Sequence, residues 1–261
     1  MDGRVIGAVG LTFLSSCGGA VAPDTTNHDA GADAADDTPA SAICEAGGIP
    51  VLTLPRRLED LRHGVTPVPP VYAAWSGCPP SSTVRLVEEG TLVTLPVGRP
   101  TSALFYGDGY LPTRGAEATL TDADRPGPGI TAFAIVAGAE FWRPRLPRYT
   151  ADAPMVVVVL TDLGAGAPPP THTCSSVGAR VEVVDAPSAT VTYLGPAPAF
   201  AATSGGVATD SGIAVIDGLP AGEAPRIEVT PPTGCSIVGA PRLAPLENGV
   251  ISVHEVFLTT T

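Results

Sequence analysis

The chain has 261 residues, and because it contains no lysine, its 14 basic residues are all arginine. It also contains no glutamine. The absence of lysine excludes Schiff-base and P-loop chemistry, as well as the lysine–asparagine isopeptide cross-links of some surface β-domains. A net charge of −12 with scattered arginines excludes the basic face that a nucleic-acid partner requires. Apolar residues make up 44% of the chain but aromatic residues only 5%, so its cores are mainly aliphatic. The length allows one or two domains.

The start of the chain has the pattern of an export signal. Arg4 supplies a positive charge, Val5–Leu14 is an apolar run too short to span a membrane, and Leu14-Ser15-Ser16-Cys17 follows. This last motif resembles the lipobox of bacterial lipoproteins, which implies a signal peptide over residues 1–16 and lipid attachment at Cys17. By the same resemblance, Gly18 implies the outer membrane of the cell envelope. The alternatives are a plain secretory signal and a buried apolar strand, each with a chance cysteine.

The next segment, residues 18–43, is small, acidic and proline-containing, with no aromatic side chain. Its carboxylates are Asp24, Asp29, Asp33, Asp36 and Asp37. Because this composition offers almost nothing to bury, we predict a disordered tether over residues 17–43 that begins with the lipidated cysteine. A flexible tether of this length holds a domain roughly 25–30 Å from the bilayer. A calcium loop is the alternative, but the segment lacks the required placement of Gly and Glu.

Four further cysteines indicate an oxidising compartment. They are Cys44, Cys78, Cys174 and Cys235. An even number in an exported chain predicts two disulfides, for which three connectivities are possible. We favour Cys44–Cys78 and Cys174–Cys235, because each bond then closes within one predicted domain. Zinc binding is the competing use, but the sequence has no CxxC pair.

Short β-branched runs between Gly and Pro turns recur about every ten residues, a spacing typical of a β-sandwich. Met155–Leu160 is continuously apolar, as in a strand that is covered on both faces. The other predicted strands are Val71–Trp75, Thr83–Glu88, Thr91–Leu95, Thr101–Tyr106, Ala116–Leu120, Val181–Val183, Thr190–Tyr193, Arg226–Thr230 and Ile251–Leu258. Two short helices are predicted, one at Pro55–His63 and one at Ile130–Phe141.

The C-terminal part carries a series of short motifs. They are Gly178–Val183, Thr209–Ile216, Gly218–Gly222 and Ile227–Thr230. Asp210-Ser211-Gly212 suits a hairpin turn, and Leu219–Gly222 suits a type I turn. The series resembles the carboxypeptidase regulatory-like domain, a transthyretin-like β-sandwich, over about residues 152–261. Residues 90–113 resemble a weaker copy of it. The whole plan is similar to that of hypothetical lipoproteins of GC-rich soil bacteria such as myxobacteria.

These features predict an all-β chain with two small transthyretin-like or Ig-like β-sandwiches in tandem. A signal peptide (1–16) and a tether (17–43) precede a first sandwich domain (44–124). A connector (125–151), partly helical, leads to a second sandwich domain of the regulatory-like type (152–261).

The sequence offers no recognisable catalytic set. The HExxH and HxxE spacings and the GxSxG motif are absent, so the peptidase associated with the regulatory domain is not expected. His172 with Asp162, or His254 with Ser252, could form an acid–base pair, but neither pair has a third positioned partner. We therefore predict surface histidines, no metal, no cofactor and no enzymatic activity.

Aromatic residues are the remaining candidates for ligand contact. Trp75, Tyr72 and Tyr110 fall in the first predicted domain, together with Phe105 and Tyr106. Exposed rings would stack on sugars, whereas buried rings would form the core, and a chain with few aromatics favours core. The sequence thus predicts a lipid-anchored envelope protein whose modules are structural or contact a protein or glycan partner. A surface carbohydrate-binding module is the alternative, and an enzyme of unknown type is a third possibility.

Overall fold

The protein is almost entirely β in its computed structural model. The structure describes residues 41–57, 70–86, 91–108, 110–124, 129–134, 139–146, 148–162, 174–196, 199–240 and 242–261. Among the described residues the 18 strands far outnumber the helical segments, which confirms the predicted all-β sandwich class. The signal peptide, Cys17 and residues 18–40 lie outside the described residues. Within the described ranges, no helix has the length and apolar character needed to cross a bilayer.

The described residues form 18 strands and one short α-helix. In chain order they are β1 (Ser41–Ile43), β2 (Ile49–Arg57), β3 (Tyr72–Trp75), β4 (Val84–Arg85), β5 (Thr91–Leu95), β6 (Pro100–Thr101), β7 (Ala103–Tyr106), β8 (Thr113–Arg114), β9 (Ala118–Thr119), β10 (Gly129–Ala134), α1 (Ala139–Trp142), β11 (Met155–Asp162), β12 (Arg180–Val183), β13 (Thr190–Leu194), β14 (Ala202–Thr203), β15 (Ile213–Asp217), β16 (Ile227–Thr230), β17 (Cys235–Gly239) and β18 (Ile251–Thr260). β1 lies within the last residues of the predicted tether, so Ser41–Ile43 form a strand where a disordered segment was predicted.

A ten-stranded central sheet runs through the molecule in the order β14-β13-β15-β11-β18-β8-β7-β3-β4, with β17 also paired to β18. β11 and β18 are parallel along the whole length of β11. The start of β18 pairs with β8 through Ile251 opposite Thr113 and Ser252 opposite Arg114. Strands from both predicted sandwich domains therefore share one hydrogen-bonded sheet. The domain boundaries themselves stay a prediction.

β11 is buried on both faces of this sheet because its sequence supplies an apolar side chain at almost every position. Val156 and Val158 pack into one core, and Met155 and Val157 pack into another core on the opposite face. Burial of a valine side chain contributes roughly 1.5–3 kcal/mol. The prediction of a strand covered on both faces is confirmed.

Three apolar cores lie against the central sheet. In the first, the small sheet β1-β5-β2-β10 places Ile49 and Val93 against residues of β3, β4 and β7. In the second, the β12-β16 pair and the segment of Leu243 and Leu246 cover one face of β11, β15 and β18. In the third, α1 and Phe200 cover the opposite face of the same strands. The first part of the molecule is therefore two layers thick and the second part three.

Alternating side chains determine what enters the first core. Along Thr91–Leu95, Val93 is buried and Leu92 is exposed, and β2 repeats the pattern with Val51 buried and Leu52 exposed. This period of two is the ordinary consequence of the pleated backbone. It leaves the outer face of the small sheet to solvent.

Hydrogen bonds of the Tyr193 hydroxyl connect the β12-β16 layer to the central sheet. The N–H of Val181 donates to the Tyr193 hydroxyl oxygen at 2.6 Å, and that hydroxyl donates to the carbonyl oxygen of Val181 at 3.3 Å. Burial raises the pKa of Tyr193, so the hydroxyl keeps its proton and remains a donor. The second layer is thus held by a polar contact as well as by apolar packing.

Most predicted strands are present, with shifted ends. Met155–Leu160 extends by two residues to Asp162, and Thr91–Leu95 has the bounds that were predicted. Thr101–Tyr106 is interrupted at Ser102, whose N–H donates to the Ser76 hydroxyl at 2.7 Å instead of joining a ladder. A buried serine can therefore break a strand that the apolar pattern alone predicts as continuous.

The helix predicted at Pro55–His63 is wrong in the described residues, whereas the one predicted at Ile130–Phe141 is right only at its C-terminal end, in α1. Pro55–Arg57 form the end of β2, and the rest of Pro55–His63 lies outside the described residues. Within Ile130–Phe141, residues up to Ala134 belong to β10 and the only described helical residues belong to the short α1. β10 pairs in parallel with β2 along its whole length, so inter-strand bonds satisfy the backbone groups that a helix would have satisfied locally.

The two turn motifs of the C-terminal part have different outcomes. Thr209–Gly212 forms a turn that is closed by the Gly212 N–H and the Thr209 carbonyl oxygen at 3.0 Å. The turn leads into β15, whose neighbours are β13 and β11, so it does not connect two paired strands as a hairpin would. At Leu219–Gly222 the N–H of Gly222 donates to the Leu246 carbonyl oxygen at 2.9 Å, and the type I turn stays a prediction.

Both favoured disulfides are present. Cys44–Cys78 links the end of β1 to the turn after β3, with Cα atoms 5.0 Å apart. Cys174–Cys235 links the segment before β12 to the start of β17, with Cα atoms 5.8 Å apart. Sequence separations of 34 and 61 residues give each bond about 4 kcal/mol in the chain-entropy model.

Candidate functional site

Trp75, a predicted ligand contact, is a core residue. It has the same parity as Ala73 on β3 and stands opposite Ala103 of β7. Only 6% of its surface is exposed, and it packs into the first core with Phe105. Alternation along the strand turns the indole inward, so Trp75 offers no ring face to a ligand, and its prediction as a contact is corrected here.

Tyr72 has the opposite parity and points to the other side of the sheet. It stands directly opposite Tyr106 of β7, and the two ring centroids are 5.9 Å apart with planes 26° apart. Tyr106 is 36% exposed and Tyr72 is partly exposed. An adjacent pair of rings on a sheet surface is a flat, amphipathic contact area with polar hydroxyl ends.

Polar and apolar side chains surround this pair. Arg85 of β4 is opposite Tyr72, and on the next row Leu104 is opposite Arg114 of β8. Arg85 is exposed, and Leu104 is partly exposed. We call this set of five, Tyr72, Arg85, Leu104, Tyr106 and Arg114, the tyrosine face. It lies on the outer side of β4-β3-β7-β8, away from the first core.

The tyrosine face is bordered where the second layer of the molecule begins. The Arg114 guanidinium pairs with the Glu247 carboxylate at 2.8 Å, and the Glu117 N–H donates to the Arg242 carbonyl oxygen at 3.0 Å. Arg242 and Glu247 therefore contact the chain around β8 and β9 at one border of the tyrosine face.

Tyr110, the third predicted contact, is partly buried next to the first core. It follows β7 in a turn closed by the Tyr110 N–H and the Gly107 carbonyl oxygen at 3.1 Å. A Cβ at position 107 would lie 2.4 Å from the Pro70 carbonyl oxygen and 3.1 Å from Tyr110 Cδ2, so only glycine fits there. The structure places Tyr110 just beyond Tyr106 at the end of the same strand.

The described histidine is buried, which overturns the prediction of surface histidines at this position. His254 and Ser252 lie on the same face of β18, against Val158 and Val156 of β11. Glu255 has the opposite parity, and its carboxylate accepts a hydrogen bond from the Thr161 hydroxyl at 3.4 Å. Ser252, His254 and Glu255 therefore do not converge as a catalytic set.

The other candidate acid–base pair, His172 with Asp162, lies outside the side chains that the structure describes. His172, His63 and His28 lie outside the described residues, and so does the side chain of Asp162. The part of the chain that the structure describes contains no group of three or more His, Cys, Asp and Glu side chains positioned to hold a metal ion.

Asp217 is a buried carboxyl group that the sequence did not single out. Neither of its carboxylate oxygens has a hydrogen-bond partner among the described residues. Burial raises the pKa of Asp217 above its ordinary value of 3.8, and the charge of Arg148 opposes this rise. Arg148 donates to the Ser188 carbonyl oxygen at 3.2 Å. Because Asp217 precedes Gly218, the pair has the composition of a solvated turn, and no local signal predicted burial.

A groove of about 610 Å³ lies beside the Cys174–Cys235 disulfide. Its lining consists of Cys174, Ser175, Val177, Pro232, Thr233, Gly234, Cys235, Thr260 and Thr261. None of these side chains carries a charge, so the groove supplies no acid, base or ion-pairing group for chemistry. The tyrosine face is therefore the better candidate for ligand contact.

Comparisons with protein-family models and with curated proteins found no match.

Proposed function

We propose that the chain is a lipid-anchored cell-envelope protein whose β-sandwich is a non-enzymatic structural or interaction module. The observation that carries the proposal is the placement of the polar side chains. Ser252 and His254 are packed within the sheet, whereas the exposed tyrosine face presents rings, a guanidinium and no nucleophile–base pair. Nucleophilic catalysis needs a nucleophile, a base and an orienting group within hydrogen-bond reach of one another, whereas a flat mixed surface suits recognition.

The location in the envelope rests on the sequence. Leu14-Ser15-Ser16-Cys17 after an apolar run resembles a lipobox, and the proposal places the lipid on Cys17 and the protein at the outer membrane. Two disulfides that close separate loops support an oxidising compartment. No cofactor and no nucleic-acid partner belong to the proposal.

The regulatory-like assignment of residues 152–261 belongs to the same proposal. The motifs Gly178–Val183 and Ile227–Thr230 lie at the paired strands β12 and β16, and Thr209–Gly212 forms a turn before β15, which supports the assignment. The all-β sandwich architecture supports the assignment at the level of fold class.

The anchor is tested by expressing the full chain in a double-membrane bacterium and fractionating the envelope. We expect the wild-type protein in the membrane fraction, with a mass increased by acyl chains on the peptide that begins at Cys17. Cys17→Ser should release the protein into the soluble periplasmic fraction. Ser16→Ala, which keeps a small residue before the cysteine, is the matched control and should remain anchored. An unmodified Cys17 in the wild-type protein would sink the anchor.

Glycan binding is the second candidate function, and the Tyr72–Tyr106 pair favours it. Sugars stack on exposed aromatic faces, and these two rings are adjacent on the surface, whereas the buried Trp75 cannot serve. A glycan array with the wild-type chain, Tyr106→Ala and Tyr106→Phe tests it. We expect Tyr106→Ala to lose binding and Tyr106→Phe, which keeps the ring, to retain it. Equal binding by all three proteins would remove the tyrosine face from the explanation.

A further inference from the structure

At its described positions in β1, β5 and β2, the outer face of the small sheet exposes apolar side chains. Ile43 is 68% exposed, Leu92 46% and Leu52 39%. Leu92 and Leu52 stand directly opposite each other in the β5-β2 ladder, and Ile43 of β1 is opposite Thr94 on the same side. We call this surface, with the exposed Pro50, the apolar sheet face.

This face is a property of the strands and not of loose loops. The residues that alternate with the exposed leucines are fully buried, so the ladder holds the leucines in fixed positions; they are Ile49, Val51 and Thr53 of β2 and Thr91, Val93 and Leu95 of β5. Scattered apolar residues on a surface are ordinary, but neighbouring ones across three strands form a patch of the kind that marks an interface. We therefore expect another surface to cover the apolar sheet face.

The chain leads from the proposed lipid to this face. Residues 18–40 connect Cys17 to β1, and β1 itself contributes Ile43. The tether that the composition of these residues predicts would have a root-mean-square reach of roughly 25 Å. A linker this short keeps its two ends at an effective concentration of about a millimolar, so a weak apolar contact at its folded end would be populated.

The charge of the apolar sheet face is compatible with contact with a bilayer. The chain as a whole carries −12, which opposes its approach to anionic headgroups, so a surface whose described positions add no negative charge suits contact with a bilayer. Ile43, Pro50, Leu52, Leu92 and Thr94 are all uncharged. Beyond the ends of β1 and β5, Glu45 and Arg99 neutralise each other in an ion pair at 2.7 Å.

We propose that the apolar sheet face rests on the surface of the bilayer that holds the lipid of Cys17, with Ile43, Leu52 and Leu92 in the interfacial region. This inference rests on the proposed lipid anchor. The tyrosine face lies on the outer side of the opposite sheet of the same sandwich, so this orientation turns it away from the membrane and toward its partner. The anchor then sets an orientation as well as a location.

The test uses the full-length lipidated protein in phosphatidylcholine vesicles with brominated acyl chains, which quench a nearby indole. Leu92→Trp introduces an indole on the apolar sheet face. Val238→Trp introduces one on β17 at a residue that is 58% exposed, and it serves as the matched control. The native Trp75 and Trp142 are buried, so the wild-type protein supplies the background. Near-UV circular dichroism checks folding, and Leu52→Trp replaces Leu92→Trp if that variant misfolds.

We expect loss of fluorescence for Leu92→Trp and unchanged fluorescence for Val238→Trp, relative to vesicles without bromine. An anchored protein in which neither indole is quenched would overturn the orientation and leave the anchor intact. A protein that carries no lipid and stays off the vesicles would overturn the anchor, and the orientation with it. The mass of the protein in solution would double with rising concentration if a second copy covered this face. A doubling that is absent in Leu92→Ser would assign the face to that second copy and overturn the membrane contact.

Discussion

The two parts of the molecule differ in how many faces of their sheets are covered. In the second part, β11 and its neighbours are packed on both sides, by the β12-β16 layer and by the α1 segment. In the first part, two sheets cover each other on one side only, and each leaves an outer face to solvent. One of these is the tyrosine face and the other is the apolar sheet face.

This difference in coverage affects which strands have side chains free to contact a partner. A strand packed on both sides has no surface left for a partner, and every position along it is constrained by packing. A two-layer sandwich buries one residue in two and leaves the others open to selection for binding. The second part is therefore the more rigid support, and the exposed chemistry belongs to the first part.

The largest difference between the two parts should appear when the same charge is introduced into each. Val157→Asp buries a carboxylate without a partner and should cost at least about 3–5 kcal/mol. Leu92→Asp leaves the charge in water and should cost only about 1 kcal/mol, through lower strand propensity. Urea unfolding of both variants with intact disulfides gives the comparison. Equal losses would show that the apolar sheet face is covered after all.

Removing the disulfides one pair at a time should reveal the next largest effect. Replacing Cys44 and Cys78 by serine, or Cys174 and Cys235 by serine, should each cost about 4 kcal/mol. The pair with the 61-residue separation should cost more than the pair with the 34-residue separation, by about 0.5 kcal/mol. Thermal unfolding of the two double variants measures the difference. A reversed order would mean that native packing, rather than loop length, sets the contribution.

Asp217 should make the second part of the molecule sensitive to pH. Its folded-state pKa is raised, so the folded state binds more protons than the unfolded state between the ordinary value of 3.8 and the raised value. Stability is therefore fully present below the unfolded pKa and is lost as pH rises through the folded pKa. Asp217→Asn removes the charge and should stabilise the protein at neutral pH, on the order of 1 kcal/mol.

The check is urea unfolding of wild type and Asp217→Asn across the acidic range. The two stabilities should converge at low pH, where the wild-type carboxyl is also protonated, and separate as pH rises. Asp185→Asn is the matched control, because that carboxylate is exposed on the surface. A difference that stays constant with pH would rule out the carboxyl charge as the cause.

The smallest effect on stability should come from the tyrosine face. Tyr106→Ala removes a cross-strand aromatic pair and should cost about 0.5–1 kcal/mol. Trp75→Ala, on the other side of the same sheet, should cost about 3–5 kcal/mol, because it empties a core position. Thermal unfolding of both variants checks the contrast. A large loss for Tyr106→Ala would assign Tyr106 to the structure rather than to binding.

Local patterns predicted the strands whose side chains alternate or are continuously apolar. Thr91–Leu95 and Met155–Leu160 show their faces directly in their sequences. The helix predictions failed over β10 and β2 because these strands are parallel partners far apart in the chain, and no residue within Ile130–Phe141 records that pairing. The joining of both halves into one sheet through β8 and β18 was invisible for the same reason.

The candidate site was partly predictable. Alternation along β3 already places Tyr72 and Trp75 on opposite faces, so the sequence could have separated the surface ring from the core ring. The choice of Tyr106 as the partner of Tyr72 depends on the register of β3 and β7, which only the fold supplies. Asp217 gave no signal, because an Asp-Gly pair is far more common in a solvated turn than at a buried strand end.

The position of β18 has a consequence for how the chain reaches its native state. β18 is the parallel neighbour of β11, pairs with β8 and β17, and is the last strand of the described chain. Neither part can complete its sheet until β18 has emerged, because β8 and β11 both need it at their open edges. Pairings over such sequence distances close large loops and fold slowly. Both parts should therefore stay incomplete until β18 is made, and this timing suits the proposed envelope location, which would require the chain to cross a membrane before it folds.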